Sequence, residues 1–205
     1  MELARQRGED SHGCLGSPCL NRTAAIVIAD ELTLSVLQGI ALGVVLSLLL
    51  LIYRASHPHG AVLGQLPGTE AYRYVGRRPE ALTFPGLLIW RLGGDLFFAS
   101  IGHFEKGLNA ALATSKPPAQ HVLLDAESVN FIDASASDEL AVFLKKLQDD
   151  GISIAFARVR DRVRERMQLA GIEGVIGSAN FHDRVTDGVR AWQQRQIVDA
   201  KSASE

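Results

Sequence analysis

The fold is decided by one stretch, residues 121–151, which reads HVLLDAESVNFIDASASDELAVFLKKLQDDG. Its first five residues form a short apolar and β-branched run that is typical of a buried strand. A stripe of apolar residues at helical spacing follows, and Gly151 stands where a helix is expected to end. The stripe consists of Leu140, Phe143, Leu144 and Leu147. The stretch therefore predicts a strand, a polar loop and an amphipathic helix.

The same alternation extends in both directions. A strand is predicted over 86–92, and the helix after it ends near Thr114, because Pro117 and Pro118 cannot continue it. Residues 152–157 predict another strand, followed by a helix closed by Gly171 and a last helix over 184–194. Strands alternating with helices indicate an α/β fold, a mixed sheet with helices packed against it.

An apolar segment precedes this domain. Leu32 to Tyr53 contains 22 consecutive residues without a formal charge and shows no polar face. A helix of that length measures about 33 Å, close to the hydrocarbon thickness of a bilayer. The run is too long for a signal peptide, begins too far into the chain and lacks a basic segment before it. It predicts a transmembrane helix, with a buried helix of a soluble protein as the alternative.

The charges that flank this segment predict its orientation. Acidic Asp30 and Glu31 precede it, whereas basic residues dominate after it. These are Arg54, Arg73, Arg77 and Arg78. Because basic residues favour the cytoplasmic side, we expect a single-pass protein of the inner or plasma membrane with its C-terminal domain in the cytoplasm.

These patterns divide the chain into five parts. Glycines and prolines between the apolar segment and the first regular strands indicate a linker that leads into a first strand near Tyr72 to Val75. The predicted parts are an unassigned, disordered stretch 1–31, a transmembrane helix 32–54, a linker and first strand 55–81, a cytoplasmic domain 82–196 and a disordered tail 197–205.

One loop is the candidate binding site. It spans 130–138 between a predicted strand and a helix, at the sheet edge where ligands of α/β proteins collect. The helix N-terminus favours an anion, and Ser135 or Ser137 is the expected cap. The candidate residues for binding a nucleotide or a partner are Asp133, Ser135, Ser137 and Asp138. The alternative is a serine cap beside a capping acid, with no further role.

Other function classes find little support in the sequence. A net charge of -2 does not favour nucleic acid as a partner. Cys14 and Cys19 have no companions at zinc-binding spacing. His103, His121 and His182 are scattered and lack a nucleophile or phosphate-loop motif nearby. We therefore expect no enzyme activity, no metal and no cofactor.

An ordered series of motifs resembles the C-terminal region of SulP-type sulfate permeases. The motifs are LGQLPGTEAYR (63–73), PGLLIWR (85–91), LFFA (96–99), VLLD (122–125) and FIDAS (131–135). The resemblance covers roughly residues 34–194 and implies a last transmembrane helix, a connector and a STAS domain. STAS domains are also the fold of anti-sigma factor antagonists, in which a serine or threonine of the D-x-[ST] turn is phosphorylated. Ser135 occupies that position.

The resemblance implies a function. The chain is expected to be a truncated SulP-type permease, a membrane-anchored STAS regulatory domain that contributes to sulfate transport in its family. One span cannot form the anion site, so the expected partners are membrane lipid and either further permease segments or a STAS-binding protein. The alternative is a stand-alone regulatory module that binds a protein or a nucleotide and is switched by phosphorylation at Ser135.

Overall fold

The computed structural model describes residues 18–56 and 59–202. The chain divides after Leu51 into two compact units. The elements are α1 (Pro18–Ala55), β1 (Ala61–Gln65), β2 (Tyr72–Tyr74), β3 (Leu87–Arg91), α2 (Ile101–Thr114), β4 (His121–Asp125), α3 (Ala134–Asp149), β5 (Ser153–Ala157), α4 (Asp161–Leu169), α5 (Ile172–Ile176), β6 (Phe181–His182) and α6 (Val185–Ser202).

Helix α1 carries the predicted membrane segment. Within it, Ser35–Arg54 is long and apolar enough to cross a bilayer, and none of that window is buried by protein. The helix begins at Pro18, so the predicted disordered stretch 1–31 is helical from that residue onward. Proline suits the first position of a helix, and the apolar sequence over 24–29 continues it. Residues 1–17 lie outside the described residues.

The region predicted as a linker over 55–81 contains two strands instead of one. Strand β1 pairs antiparallel with both β2 and β3, so it lies inside the sheet and not ahead of it. A Cβ at Gly64 would lie 3.0 Å from the Leu82 carbonyl oxygen. Gly64, which the sequence pattern assigned to a linker, thus lies within a strand at a position where another backbone segment approaches closely.

The six strands form one mixed sheet in the order β2-β1-β3-β4-β5-β6. Strands β3 to β6 are parallel, and the carboxyl ends of β3, β4 and β5 are in register at Arg91, Asp125 and Ala157. The predicted α/β fold with a mixed sheet and an apolar helix before it is confirmed.

The central strands β3, β4 and β5 are buried on both faces of the sheet, and alternate residues of each strand point to opposite sides. Leu88 and Val122 pack with apolar residues of α2 to α5 on one face. Ile89 and Leu123 pack with Val185 and other residues of α6 on the other. The helices therefore hold the strand ends, and the charged residues at those ends, in fixed positions.

Helix α6 continues beyond the predicted end at residue 194. It reaches Ser202, so most of the predicted disordered tail 197–205 is helical, while residues 203–205 lie outside the described residues. Neither glycine nor proline occurs between Gln194 and Ser202, and nothing local stops the helix.

Candidate functional site

Asp133 caps helix α3 and links the predicted loop to a second segment of the chain. The Ala136 N–H donates to its Oδ1 at 2.7 Å. The Phe98 N–H, from a separate segment, donates to its Oδ2 at 3.0 Å. Asp133 has the extended backbone expected of a cap (φ -81°, ψ 172°), so the prediction of Ser135 or Ser137 as the cap is wrong. Aspartate and serine are both good caps, so the sequence does not distinguish the three positions.

The other candidate residues differ in exposure. Ser137 is fully buried, and its hydroxyl donates to the Ala134 carbonyl oxygen at 2.7 Å. Ser135 and Asp138 lie on the exposed side of the first turn of α3. No other described residue makes a hydrogen bond with the side chain of either. The structure therefore leaves Ser135 accessible and places Ser137 inside the protein.

A groove of about 360 Å³ lies beside this loop, between it and helix α4. Its walls combine apolar Phe131 and Leu169 with charged Arg162 and Arg166. Leu169 is 80% exposed and Phe131 is 46% exposed. Large apolar side chains rimmed by charges are typical of a surface that contacts another protein.

A second cluster lies at the carboxyl edge of the parallel strands. Asp125, at the end of β4, is fully buried and accepts hydrogen bonds from two guanidinium groups. Arg91 Nε–H donates to its Oδ2 at 2.8 Å, and Arg158 Nε–H donates to its Oδ1 at 2.9 Å. Glu127 lies across the same pair, 2.9 Å from Arg158 Nη1 and 3.4 Å from Arg91 Nη2. The four side chains form one ion-pair network.

Sequence reasoning missed this network, although its members end predicted strands or directly follow them. Arg158 also has a backbone in the left-handed region (φ 59°), which is uncommon for a residue other than glycine. Its N–H donates to the His182 carbonyl oxygen at 2.9 Å. A charged residue at the end of each buried strand was the signal that could have indicated the cluster.

A model of the STAS domain family matches residues 78–188. The chain belongs to the STAS domain family. The ion-pair network at the carboxyl edge of the strands and the loop 130–138 at the start of α3 (the α3 loop) both lie within the matched region, so both are features of the STAS domain.

The relatives of this STAS protein are sulfate transporters of the SulP/SLC26 family, which it matches in their C-terminal part. It is 34% identical over 161 residues to a probable sulfate transporter 4.2 of Arabidopsis thaliana, covering 74% of this chain and 24% of that one. It is 31% identical over 172 residues to a probable sulfate transporter of Mycobacterium tuberculosis, covering 84% of this chain and 31% of that one. The chain thus spans about a quarter to a third of these relatives.

Solved structures give the same fold. The murine Slc26a9 anion transporter in its inward-facing state superposes with a TM-score of 0.68 at 22% identity, over 76% of this chain and 25% of that one. A second SLC26A9 structure superposes with a TM-score of 0.69 at 19% identity, over 80% of this chain and 28% of that one. At these identities the likeness establishes the fold of the STAS domain alone.

One histidine of the STAS domain, His121, belongs to the core. His121 is buried at the start of β4, with Nδ1 2.6 Å from the Ser153 hydroxyl. Burial, with smaller contributions from Arg195 and His182, lowers the pKa of His121 to about 4. Residues 18–56 and 59–202 contain no group of three or more histidine, cysteine or acidic side chains placed to hold a metal. His121 is therefore a neutral core residue at neutral pH.

Proposed function

We propose that this chain is the C-terminal part of a SulP-type sulfate or anion permease, in which one membrane helix anchors a STAS regulatory domain. One observation carries the proposal. The alignment with the Mycobacterium tuberculosis transporter spans 172 of 205 residues, so it begins no later than residue 34. It therefore includes the whole apolar window Ser35–Arg54 and the STAS domain at least as far as residue 172. Helix and domain together match one continuous part of a sulfate transporter.

The domain lies on the cytoplasmic side in this proposal. Arg54 ends the apolar window, and further arginines follow within 25 residues, whereas Asp30 and Glu31 precede it. Basic residues near the end of a membrane helix favour the cytoplasmic side, and acidic residues contribute little. A single pass with a cytoplasmic C-terminal domain accounts for this distribution.

The chain contributes to transport only together with other membrane segments. An anion crossing a bilayer needs a site enclosed by several helices near the midplane, and the described residues contain one helix that could span a membrane. Its partners in this proposal are membrane lipid and additional permease segments. Gly39 and Gly43, spaced as a small-xxx-small pair, give α1 a face for close helix packing.

A chimera tests the proposal. The C-terminal part of the related Mycobacterium tuberculosis transporter is replaced by residues 34–205 of this chain, and sulfate uptake is measured in membrane vesicles. We expect uptake by the chimera, no uptake by the transporter truncated at the junction, and none by the 205-residue chain alone. Uptake by the chain alone, or none by a chimera that reaches the membrane, would contradict the proposal.

A second function is favoured by the accessibility of Ser135. In this alternative, the STAS domain is a regulatory module that binds a protein or a nucleotide and is switched by phosphorylation. Ser135 is exposed beside the groove formed by Phe131 and Leu169, so a phosphate added there would change the charge of that surface. Phosphate near Asp133 and Asp138 is opposed by their charges but favoured by the N-terminus of α3.

The switch is tested by binding measurements. Ser135→Glu adds one negative charge at the accessible position, and Ser135→Ala removes the hydroxyl. Binding of cytoplasmic proteins or of a nucleotide to the full chain should differ between the two variants. Identical binding by both variants would exclude a phosphorylation switch at this serine.

A further inference from the structure

A cavity of about 310 Å³ opens at the carboxyl edge of the sheet, where helix α6 begins. Its lining contains the charged residues Arg73, Arg91, Arg158, Arg184, Glu70 and Glu127. Four guanidinium groups and two carboxylates share one concave surface on the side where ligands of α/β sheets bind. The cavity is separate from the α3 loop, none of whose candidate residues lines it.

The ion pairs around the cavity leave two of its arginines unmatched. Asp125 and Glu127 neutralise Arg91 and Arg158. The remaining carboxylate of the lining, on Glu70, lies 2.6 Å from a guanidinium nitrogen of Arg190.

The side chains of Arg73 and Arg184 make no hydrogen bond or ion pair with any other described residue. Asp183 and Asp187 flank Arg184 in the sequence but do not line the cavity. Two positive charges of the lining, on Arg73 and Arg184, are therefore not paired with a carboxylate.

The structure around these two charges is suited to an oxyanion. Val185 and Thr186, the first residues of the 18-residue helix α6, lie in the lining. The first backbone amides of a helix have no partner within the helix and carry partial positive charge. Arg91 is held in place by its Nε and Nη2 contacts, and its Nη1 has no partner among the described residues. A guanidinium group can donate two parallel hydrogen bonds to two oxygen atoms of one carboxylate or phosphate group.

We propose that this cavity binds a doubly charged tetrahedral oxyanion of the phosphate or sulfate class between Arg73, Arg184 and the start of α6. Two unmatched cations balance a dianion, and the helix terminus supplies further donors. The volume exceeds that of a free ion, so the oxyanion is either free or the terminal group of a small organic ester. The proposal concerns the domain after Ile52 alone and is independent of transport.

Calorimetric titration of the full chain in detergent micelles tests the site. Sodium sulfate, sodium phosphate and phenyl phosphate are titrated separately, with sodium chloride holding the ionic strength constant. We expect one saturable site per chain for at least one of the three. Tighter binding of phenyl phosphate than of phosphate identifies an organic ester as the ligand class, and equal or weaker binding identifies the free ion. No saturable binding of any of the three would overturn the proposal.

Arginine variants locate the binding. Arg73→Gln and Arg184→Gln come from different elements, and each should weaken binding at least about tenfold, the loss expected for one charge-assisted contact. Arg77→Gln is the matched control, because Arg77 is an exposed arginine near Arg73 that does not line the cavity. Equal weakening by the control variant would indicate non-specific attraction to positive charge and would contradict the proposal. Melting temperatures check that each variant is folded.

Discussion

Arg158 donates its Nε–H to Oδ1 of Asp125 at 2.9 Å, which joins the carboxyl ends of two neighbouring parallel strands. Asp125 is fully buried, whereas the Arg158 side chain is 28% exposed. A buried carboxylate is stable only when other groups satisfy its charge and its hydrogen bonds. Arg158 and Arg91 satisfy the charge of Asp125. Asp125 in turn fixes the orientation of both guanidinium groups at the edge of the cavity.

Asp125→Ala should strongly destabilise the STAS domain. The substitution removes the buried partner of two guanidinium groups, which then share only Glu127, a half-exposed carboxylate. We expect a loss of about 2–4 kcal/mol in the free energy of unfolding, measured by chemical denaturation of the full chain in detergent. Glu80→Ala, in an exposed pair with Arg78, is the control and should cause no measurable change. Equal stabilities of the two variants would contradict the structural role of the network.

Asp133→Ala should cost about 1–2 kcal/mol of stability, since it removes the cap of α3. The same substitution breaks the contact with the Phe98 N–H, so that segment should lose hydrogen-exchange protection. Asp138→Ala is the matched control, five residues further on and exposed. If the control loses as much stability as Asp133→Ala, the assignment of Asp133 as the cap is incorrect.

Most strands could be predicted from the sequence, whereas the ion-pair network at the carboxyl edge could not. Strands β3 and β4 were predicted within one residue because each is a buried apolar run bounded by turn-forming or charged residues. Strand β1 was missed because Gly64 resembles a linker residue until Ala81 and Leu82 are placed against it. The pairing of Asp125 with Arg91 and Arg158, 34 and 33 residues away, depends on strand register, which no local pattern specifies.

The stability of the domain should fall as the pH is lowered from 6.5 toward 4. Burial lowers the pKa of His121 to about 4 from an ordinary value of 6.5. Between these values the unfolded chain binds a proton that the folded chain excludes, so unfolding is favoured at lower pH. The contribution of neutral His121 is complete above pH 6.5 and decreases by up to about 3 kcal/mol by pH 4. The pKa of His182 is lowered too, mainly by burial, and adds to the trend.

His121→Gln isolates this effect. The slope of unfolding free energy against pH between 6.5 and 5 should become smaller in the variant, whatever its absolute stability. Parallel slopes for His121→Gln and the unsubstituted chain would show that His121 is not the group responsible.

Phosphorylation should distinguish Ser135 from Ser137. Incubation of the folded chain with a serine kinase of broad specificity, followed by peptide mass spectrometry, should place phosphate on the exposed Ser135 and leave the buried Ser137 unmodified. Ser135→Glu should fold with little change in melting temperature, whereas Ser137→Glu should be severely destabilised by a charge in the core. Modification of Ser137 in the folded chain would contradict its burial.

Membrane retention is the most direct test of an anchored STAS domain. Cells expressing the tagged chain are fractionated, and the membranes are extracted with alkaline carbonate. We predict that the chain stays in the membrane pellet, because Ser35–Arg54 is long and apolar enough to cross the bilayer. A variant with Leu46→Arg and Leu49→Arg, two charges within that window, should be released. Complete release of the unsubstituted chain into the supernatant would show that the apolar helix is not a membrane anchor.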